Sequence, residues 1–490
     1  MLVQALLDAK RRFPGRCAVS DASLALSYRR LTQIAGVFCR VIQRSTESER
    51  VGLMLPASSA FPAALFGTLW AGRVAVPLNF LLSPVELARI VADAGLDLIL
   101  TVRPFQELVA SVPARAVFLE DLPLKRMLVR SMILGSPKPA SPPPDATAVL
   151  LYTSGTSAEP KGVELTHRNL QSNCAGAIET LEVDPRQTFL NILPPFHVFG
   201  LTGNVLIPVF LGASVTAIPR FNPLAVTGAV MEKKISVLMA IPSMYAAILR
   251  LKSAPEDAFR SIYIAVSGGE ALPDSVRDGF QKRFGVLLRQ GYGLTETSPV
   301  VAASSPSHYR EGMVGRVLRN VEVRIVDTGG NALAAGGEGV IHVRGPSVMK
   351  GYFHKPEETR RVLDSNGWFD TGDIGRVDAD GFLAITGRAK EMLIIGGENV
   401  FPREIEAVLE SHEGVLQAAV IGISDSLRGE AAAAFVIPQK GISVSEEELC
   451  NFARRKLASF KVPRRIEIRE DLPTGPTGKI LKRKLRDLLS

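Results

Sequence analysis

The stretch from Leu150 to His167, LLYTSGTSAEPKGVELTH, combines residue types that bind phosphate groups. Gly155 would let the backbone approach a phosphate closely, and Lys161 would supply a positive charge. Hydroxyl groups that can donate hydrogen bonds to phosphate oxygens come from Thr153, Ser154, Thr156 and Ser157. Because an ordinary solvated loop between a strand and a helix uses the same small residues, this stretch alone leaves both interpretations open.

The stretch differs from the P-loop of nucleoside triphosphatases. That motif requires G-x-x-x-x-G-K-[ST], in which the last hydroxyl binds Mg²⁺. Here Pro160 stands where the second glycine is required, and Lys161 is followed by Gly162. A P-loop fold is therefore not expected.

Further segments place polar residues and glycines at the ends of predicted strands. They are QGYGLTETSP (290–299), GWFDTGDIG (367–375) and GRAKEMLIIGGENVFPREIE (387–406), and PTGPTGKILKRKLR (473–486) follows near the end of the chain. In this order, and together with the first stretch, they resemble the motif set of the ANL superfamily of adenylate-forming enzymes. That superfamily includes acyl-CoA synthetases, nonribosomal peptide adenylation domains and luciferases. The resemblance extends over essentially the whole chain.

The resemblance implies a reaction in two steps. A carboxylate attacks the α-phosphorus of ATP, which gives an acyl-adenylate and pyrophosphate, and a thiol then displaces AMP. Because the first step brings two anions together, the site must neutralise charge and hold the reactants in line. The implied cofactors are ATP, Mg²⁺ and coenzyme A, or the phosphopantetheine of a carrier protein in place of coenzyme A.

The resemblance also gives individual residues a role in the first step. Thr295 would bind the α-phosphate, Glu296 would bind Mg²⁺, and Lys479 would stabilise the charge that develops as the adenylate forms. Without the resemblance, Glu296 and Lys479 would each be interpreted as solvated surface charges. The loop from 153 to 162 would bind the β- and γ-phosphates. Ala158 stands where the family usually has glycine, so the local shape of this loop is expected to differ.

Other residues are expected to bind the nucleoside. Tyr292, which precedes Gly293, would stack on adenine, although an aromatic residue here could equally pack in the core. Asp373 would accept hydrogen bonds from both ribose hydroxyls, and Arg388 would reach the same ribose. The adenine and acyl pockets would be lined by the backbone around Gly268, Gly269 and Glu270.

Three more residues have implied roles outside nucleotide binding. Lys390 would be the hinge at which the C-terminal domain turns between the half-reactions, and its alternative is an exposed loop lysine. Gly397 would let a pantetheine arm pass close to the backbone. His197 would act as a gate or contact the acid, and not as a base, because the carboxylate is already ionised at neutral pH. A histidine in an apolar segment such as ILPPFHVFGL is otherwise usually part of the core.

The segments predicted to line the acid pocket favour a hydrophobic substrate. PPFHVFGLTGNVLIPVF, VLMAIPSMYAAI and TSPVVAA are apolar, and no acidic residue stands out as a partner for an amino group. We therefore expect a fatty or other hydrophobic carboxylic acid, with coenzyme A as the acceptor. A holo acyl carrier protein is the alternative acceptor, because it presents the same reacting arm. A non-catalytic protein that binds nucleotide or acyl groups is the alternative of a different class.

The elements that must position these residues alternate between strand and helix. Short apolar runs separated by helical stretches over 51–101, and again from 262, predict doubly wound α/β layers. Glycine-bounded strands over 311–355 predict a small barrel-like subdomain, and the rest of the chain has the pattern of an α+β domain. We therefore predict an α/β fold, with a large N-terminal AMP-binding domain over 1–387 and a small mobile C-terminal domain over 388–490.

The composition sets limits on partners and compartment. A net charge of +8 in 490 residues favours acidic partners such as nucleotides, an acidic carrier or an anionic membrane surface, and we expect no nucleic acid partner. The four cysteines lack zinc or disulfide spacing, which indicates a reducing compartment. The apolar stretch 60–80 is interrupted by Pro62, Arg73 and Pro77, so we predict a buried helix and strand there and not a membrane span. A soluble cytoplasmic protein is expected, with peripheral membrane contact left open.

Overall fold

The computed structural model describes residues 1–153, 160–395, 398–425, 429–474 and 480–488, without the side chains of Leu134 and Asn399. The strands are β1 (Cys17–Ser20), β2 (Ala25–Ser27), β3 (Arg50–Met54), β4 (Val74–Pro77), β5 (Leu98–Thr101), β6 (Arg115–Phe118), β7 (Thr147–Thr153), β8 (Lys161–Thr166), β9 (Thr188–Asn191), β10 (Ser214–Ala217), β11 (Val237–Ala240), β12 (Ile264–Ser267), β13 (Leu288–Gly293), β14 (Val300–Ala303), β15 (Gly315–Val317), β16 (Glu322–Val326), β17 (Gly339–Arg344), β18 (Gly351–Tyr352), β19 (Phe369–Val377), β20 (Phe382–Arg388), β21 (Leu393–Ile395), β22 (Glu398–Val400), β23 (Val415–Asp425), β24 (Gly429–Pro438) and β25 (Arg465–Ile468).

The helices are distributed along the whole chain. They are α1 (Leu2–Arg12), α2 (Tyr28–Ser45), α3 (Ala60–Trp70), α4 (Pro84–Asp93), α5 (Gln106–Ala110), α6 (Leu124–Leu134), α7 (His167–Leu181), α8 (Val198–Leu201), α9 (Ile207–Leu211), α10 (Pro223–Lys233), α11 (Pro242–Leu249), α12 (Asp274–Phe284), α13 (Pro356–Val362), α14 (Pro402–Glu410), α15 (Glu446–Arg454) and α16 (Lys482–Arg486).

These elements belong to two compact units. The first unit consists of Met1–Gly269, Phe280–Glu322 and Val343–Phe369, and the second consists of Glu270–Gly279, Val323–His342 and Asp370–Ser490. The domain boundary predicted between residues 387 and 388 stays a prediction.

The first unit contains two sheets with parallel centres. One has the strand order β18-β8-β7-β4-β3-β5-β6, in which β7, β4, β3, β5 and β6 run parallel. The other contains the strands β15-β14-β13-β12-β11-β9-β10-β1-β2, in which the run from β13 to β1 is parallel. The core strands β11 and β12 are buried along their whole length, as expected for apolar strands covered by helices on both faces. The predicted α/β class is confirmed.

The stretch 60–80, which is the most membrane-like in the sequence, is a buried helix and strand as predicted. All residues of α3 from Phe61 to Trp70 are buried, and β4 follows as an inner strand of its sheet. In the part of the chain that the structure describes, no helix is both long and apolar enough to cross a membrane.

The second unit contains antiparallel strands and an α+β tail. Here β16, β17, β19 and β20 lie side by side, and β19 pairs antiparallel with β20. In the tail, β22-β21-β24-β23 form a sheet with β25 beside β24, and α14 and α15 contribute Leu409 and Leu449 to its buried core. The tail also contains the strand β22, and a three-residue strand is too short to show a period in the sequence.

Candidate active site

The predicted phosphate loop joins two antiparallel strands and not a strand and a helix. The strand β7 ends at Thr153 and β8 begins at Lys161, and the register places these two residues opposite each other. The hairpin therefore brings the two described ends of the loop together. The remaining predicted phosphate ligands, and the alanine in place of glycine, lie outside the described residues: Ser154, Gly155, Thr156, Ser157 and Ala158.

Lys161 is already paired with a carboxylate. It forms an ion pair with Glu358 of α13, and its ammonium nitrogen lies 5.1 Å from the centre of the Tyr352 ring. Lys355 Nζ lies 3.5 Å from Glu358 as well. The hydrogen bond from Lys161, with the charges of the two lysines, holds the pKa of Glu358 below its usual range. A phosphate group that bound Lys161 would either share the lysine's positive charge with Glu358 or displace the Glu358 carboxylate.

Glu296 is held by the same tyrosine. It lies in the 3₁₀ turn Thr295–Thr297, and its Oε1 accepts a hydrogen bond of 2.8 Å from the Tyr352 hydroxyl. Burial, and then the charge of Glu296, raises the pKa of Tyr352, so that the hydroxyl stays protonated. The Met349 amide donates to the Glu296 carbonyl oxygen at 2.7 Å, which fixes the backbone. The carboxylate is thus oriented before any ligand binds.

The surroundings of Glu296 fit Mg²⁺ only together with phosphate oxygens. Among the described residues, no group of three or more His, Cys, Asp or Glu side chains could hold a metal ion. Mg²⁺ is commonly held by one or two carboxylates, with phosphate oxygens and water completing the octahedron. A single oriented carboxylate is consistent with such a site.

The turn that carries Thr295 and Glu296 depends on Gly293. A Cβ atom at Gly293 would lie 2.0 Å from the Pro299 carbonyl oxygen, so only glycine fits where β13 meets β14. The next amide, of Leu294, donates to Thr297 Oγ1 at 3.0 Å and closes the turn. Tyr292, which precedes the glycine in β13, is partly exposed. Its stacking on adenine stays a prediction.

The residues after β12 lie at the carboxyl end of the parallel sheet, where α/β proteins bind ligands. A Cβ atom at Gly268 would lie 3.2 Å from the Phe199 ring, and Gly269 has a φ of +84° that favours glycine. Ser267, the last residue of β12, is buried, and its Oγ has no hydrogen-bond partner within the described part of the chain. Glu270 belongs to the second unit.

His197 lies between β9 and α8 and is partly buried among aromatic rings. Its ring centre is 4.7 Å from that of Phe196, and Phe196 meets Phe80 edge to face at 4.9 Å. This apolar setting suits a core histidine and suits a contact with a hydrophobic acid. The site role of His197 stays a prediction.

Asn204 is a buried polar residue that the motif analysis did not identify. It is 1% exposed within the π-helical segment Thr202–Leu206, and neither its amide oxygen nor its amide nitrogen has a hydrogen-bond partner among the described residues. A Cβ atom at the adjacent Gly203 would lie 2.8 Å from Met239 Sδ, so this segment packs against β11. Unpaired buried amides are rare, and π-helical turns often occur at functional sites. The signal in the sequence was one amide inside an apolar run.

The predicted ribose ligands are paired in the second unit. Strand register places Asp373 of β19 opposite Arg388 of β20, and Arg388 Nε lies 2.9 Å from Asp373 Oδ1. Asp373 is 3% exposed, and its amide donates to Thr371 Oγ1 at 3.0 Å. The structure therefore brings these two predicted residues into contact.

The predicted hinge residue lies close in sequence to a partly buried ion pair. Lys390 is exposed in the 3₁₀ turn between β20 and β21, and its neighbour Glu391 accepts a hydrogen bond of 2.6 Å from Lys482 of α16. Lys482 Nζ also lies 2.9 Å from Glu406. Burial lowers the pKa of Lys482, but the two carboxylates outweigh burial and raise it. Gly397, which is predicted to let the pantetheine arm pass, and Lys479, the predicted catalytic lysine, lie outside the described residues.

The predicted site residues thus form two sets, one in each unit. The first unit contains Thr153, Lys161, His197, Gly269, Tyr292, Gly293, Thr295 and Glu296. The second contains Glu270, Asp373, Arg388 and Lys390. Tyr352 and Glu358 are contacts of these residues that motif spacing did not reveal.

Two family models match the chain. The model described as AMP-binding enzyme matches residues 6–353, and the model described as AMP-binding enzyme C-terminal domain matches residues 404–479. Both matched segments agree with the motif order in the sequence.

Individual relatives match nearly the whole chain. A long-chain-fatty-acid–CoA ligase from Yersinia pestis is 33% identical over 99% of this chain and 94% of the relative. A feruloyl-CoA synthase from Amycolatopsis sp is 34% identical over 97% of this chain and 96% of the relative. The solved structure of the anthranilate CoA ligase AuaEII in complex with anthranoyl-AMP is 27% identical, covers 99% of this chain and 96% of its own, and has a TM-score of 0.92.

Proposed function

Since the chain belongs to the AMP-binding enzyme family, we propose that it activates a hydrophobic, chiefly fatty, carboxylic acid with ATP and passes the acyl group to coenzyme A. The observation that carries the proposal is the pair of contacts made by Tyr352. Its ring lies 5.1 Å from the Lys161 ammonium, and its hydroxyl holds Glu296 at 2.8 Å. A cation for phosphate and a carboxylate for Mg²⁺, both in contact with one tyrosine, are what a magnesium–triphosphate requires.

In the first unit, the proposed roles follow from charge and position. Lys161 would bind the β- and γ-phosphates with the hairpin loop, and Thr295 would donate a hydrogen bond to the α-phosphate. Glu296 would hold Mg²⁺, which would neutralise the triphosphate while the carboxylate of the acid attacks. Tyr292 would stack on adenine. These roles neutralise the charge that otherwise keeps the acid and ATP apart.

In the second unit, the proposed roles concern the ribose and the developing charge. Asp373 would accept hydrogen bonds from the ribose hydroxyls, and Arg388, whose Nε lies 2.9 Å from that carboxylate, would keep it oriented. Lys479 would approach the phosphates during adenylation, with Lys390 as the hinge. Gly397 would give the thiol arm room in the second step.

The acid is proposed to be hydrophobic because its expected surroundings are apolar. Phe80 stacks on Phe105 with ring centres 4.5 Å apart, and Phe196 completes this cluster beside His197. The relative named long-chain-fatty-acid–CoA ligase supports an alkyl acid, and the relative named feruloyl-CoA synthase makes an aromatic acid the second candidate. Asn204 favours the second candidate, because its amide could bind a polar substituent on the ring.

Coenzyme A is the proposed acceptor, since each of the named relatives is a CoA ligase or synthase. A holo acyl carrier protein stays the alternative, because phosphopantetheine presents the same thiol. Contact with a membrane surface belongs to the same proposal, since hydrophobic acids partition into bilayers.

A panel of acids tests the proposal. The purified protein would be mixed with ATP, Mg²⁺ and either coenzyme A or holo acyl carrier protein, and with octanoate, dodecanoate, hexadecanoate, ferulate or phenylalanine in turn. We expect AMP and an acyl thioester with an alkyl acid and coenzyme A, and neither product with phenylalanine. Nucleotide binding without AMP formation from any acid would instead indicate the non-catalytic alternative.

A further inference from the structure

Helix α6 exposes apolar side chains that the proposed reaction does not use. Val129, Met132 and Ile133 are 59%, 69% and 79% exposed. Their spacing of three and four residues places them on one side of the helix, and we call them the apolar face. Large apolar side chains that are grouped at the surface mark an interaction site more often than single ones do.

The other side of α6 fixes the helix to the first unit. Leu128 and Ser131 are each 6% exposed, and α6 packs against α2. The helix is followed by Gly135, whose carbonyl oxygen accepts a hydrogen bond from Arg40 of α2. The Trp70 indole then donates to the Pro137 carbonyl oxygen at 2.9 Å. The apolar face is therefore presented by a helix that is held in place at both its underside and its C-terminal end.

Exposed basic residues lie beside the apolar face. Lys125, Arg126 and Arg130 form this cationic rim, and none of them makes an ion pair or a side-chain hydrogen bond within the described part of the chain. Arg126 and Arg130 line one shallow surface groove together with Val129 and Ile133. Apolar and cationic side chains thus share one surface.

No acidic residue neutralises this rim from its own segment. Between residues 122 and 144 the sequence has four basic residues and no acidic residue. The carboxylates just before α6 are engaged elsewhere, because Asp121 pairs with Arg103 at 2.6 Å and Glu120 accepts a hydrogen bond from the Arg103 amide. The carboxylate just after the segment, Asp145, pairs with Arg168 at 2.6 Å. The surface of α6 is therefore positive as well as apolar.

We propose that α6 binds an anionic lipid bilayer, with the apolar face among the headgroups and the cationic rim against lipid phosphates. Helices that lie in a membrane interface combine these two features. Clustered basic residues favour anionic over neutral lipids. A second copy of the chain is a poorer occupant, because pairing two such helices would bring two cationic rims together. The proposal rests on the membrane contact included in the proposed function and names its surface. Because vesicle binding requires neither ATP nor an acid, it can fail while the proposed acid activation still holds.

Vesicle sedimentation tests the proposal with the full chain. Vesicles of phosphatidylcholine alone would be compared with vesicles that contain phosphatidylglycerol as well, at low and at high salt. We expect binding to the anionic vesicles only, and weaker binding at high salt because the rim is screened. The combined variant Val129→Ser, Met132→Gln and Ile133→Gln should reduce the partition coefficient by about tenfold or more, and Arg126→Gln with Arg130→Gln should do the same.

A matched control comes from α10. Leu224 and Met231 are 61% and 48% exposed on that helix, and Leu224→Gln with Met231→Gln should bind vesicles as the wild type does. Equal melting temperatures of all variants would show that they fold. Wild-type protein that ignores anionic vesicles, or an apolar-face variant that binds them as well as the control, would overturn the proposal. If vesicle binding is absent, a dimer that depends on α6 in light scattering would also overturn the proposal. A complex with an acidic carrier protein that depends on α6 would do the same.

Discussion

At the level of single residues, the charged side chains proposed to bind ATP and Mg²⁺ already have protein partners within their own units. Lys161 is paired with Glu358, Glu296 is held by Tyr352, and Asp373 is held by Arg388 at 2.9 Å. Each charged group is therefore oriented without its ligand, which reduces the reorganisation needed when ATP binds. Single substitutions can test each pairing.

The hydroxyl of Tyr352 is expected to position the carboxylate proposed to bind Mg²⁺. Tyr352→Phe removes the 2.8 Å hydrogen bond to Glu296 and keeps the ring beside Lys161. We expect kcat/KM to fall by about tenfold, because a hydrogen bond to a charged group is lost. We also expect the Mg²⁺ concentration that gives half of the maximal rate to rise. A Mg²⁺ titration of pyrophosphate exchange measures this. Tyr309→Phe, at an exposed tyrosine, is the control, and an unchanged Mg²⁺ requirement in Tyr352→Phe would contradict the assignment.

Two buried asparagines are expected to respond oppositely to replacement by leucine. Asn173 makes hydrogen bonds of 2.8 Å and 3.1 Å to the carbonyl oxygens of Val300 and Thr297, so Asn173→Leu should cost on the order of 2–3 kcal/mol. Asn204 has no such partner in the described chain, so Asn204→Leu should leave the melting temperature unchanged or raise it.

The activity of Asn204→Leu tests whether the Asn204 amide binds the acid substrate. If the amide binds a polar group of the acid, the ratio of kcat/KM for ferulate to that for an alkyl acid should fall by about tenfold. An unchanged ratio, with wild-type stability, would mean that Asn204 does not select the substrate.

Lys479 is expected to serve the first half-reaction only. Lys479→Ala should lower adenylation by about 10²- to 10³-fold, because charge developing on the phosphates loses its cation. Thioester formation from a presynthesised acyl-adenylate should continue. Lys484→Ala removes an exposed lysine of the same basic segment and is the control. If both half-reactions of Lys479→Ala ran at wild-type rates, the role given to this residue would be wrong.

At the scale of secondary-structure elements, the sequence was informative where a pattern is local. Apolar runs predicted the parallel strands, and the interrupted stretch 60–80 was correctly predicted as the buried elements α3 and β4. The alternative interpretation of the loop after β7, a connection between a strand and a helix, does not hold, because β7 pairs antiparallel with β8. The contacts of Tyr352 with Lys161 and Glu296 join segments that are far apart in the chain, and no periodicity reveals such contacts.

The start of α7 gives the stability a pH dependence. His167 is 4% exposed and its Nδ1 has no hydrogen-bond partner among the described residues. Burial, and then the N-terminal ammonium, lowers the pKa of His167 from 6.5 to about 4. The unfolded chain therefore binds the proton more readily, and stability is full above about pH 6.5 and falls as the pH approaches 4.

A neutral side chain at position 167 should remove this dependence. At pH 5 the histidine should cost the folded state about 2 kcal/mol relative to pH 7. We compare the melting temperature of His167→Gln with that of the wild type at each pH. The difference should favour the variant by a few degrees more at pH 5 than at pH 7. The same difference at both pH values would contradict a buried neutral histidine.

At the scale of the whole molecule, the residues proposed for adenylation are divided between two units. The first unit contains the groups proposed for the triphosphate and Mg²⁺, and the second contains Asp373 and Arg388, proposed for the ribose. The family match over residues 6–353 and 404–479 extends over both units. We therefore expect the whole chain to form a mixed anhydride between a carboxylic acid and AMP.

Oxygen-18 transfer measures that bond formation directly. Dodecanoate labelled with oxygen-18 in both carboxylate positions would be incubated with the protein, unlabelled ATP, Mg²⁺ and coenzyme A in unlabelled water, and the AMP would be analysed by mass spectrometry. If the acid attacks the α-phosphorus, each AMP formed retains one heavy oxygen after the thiol displaces it. Unlabelled AMP, or ADP as the nucleotide product, would show that the acid does not attack the α-phosphorus.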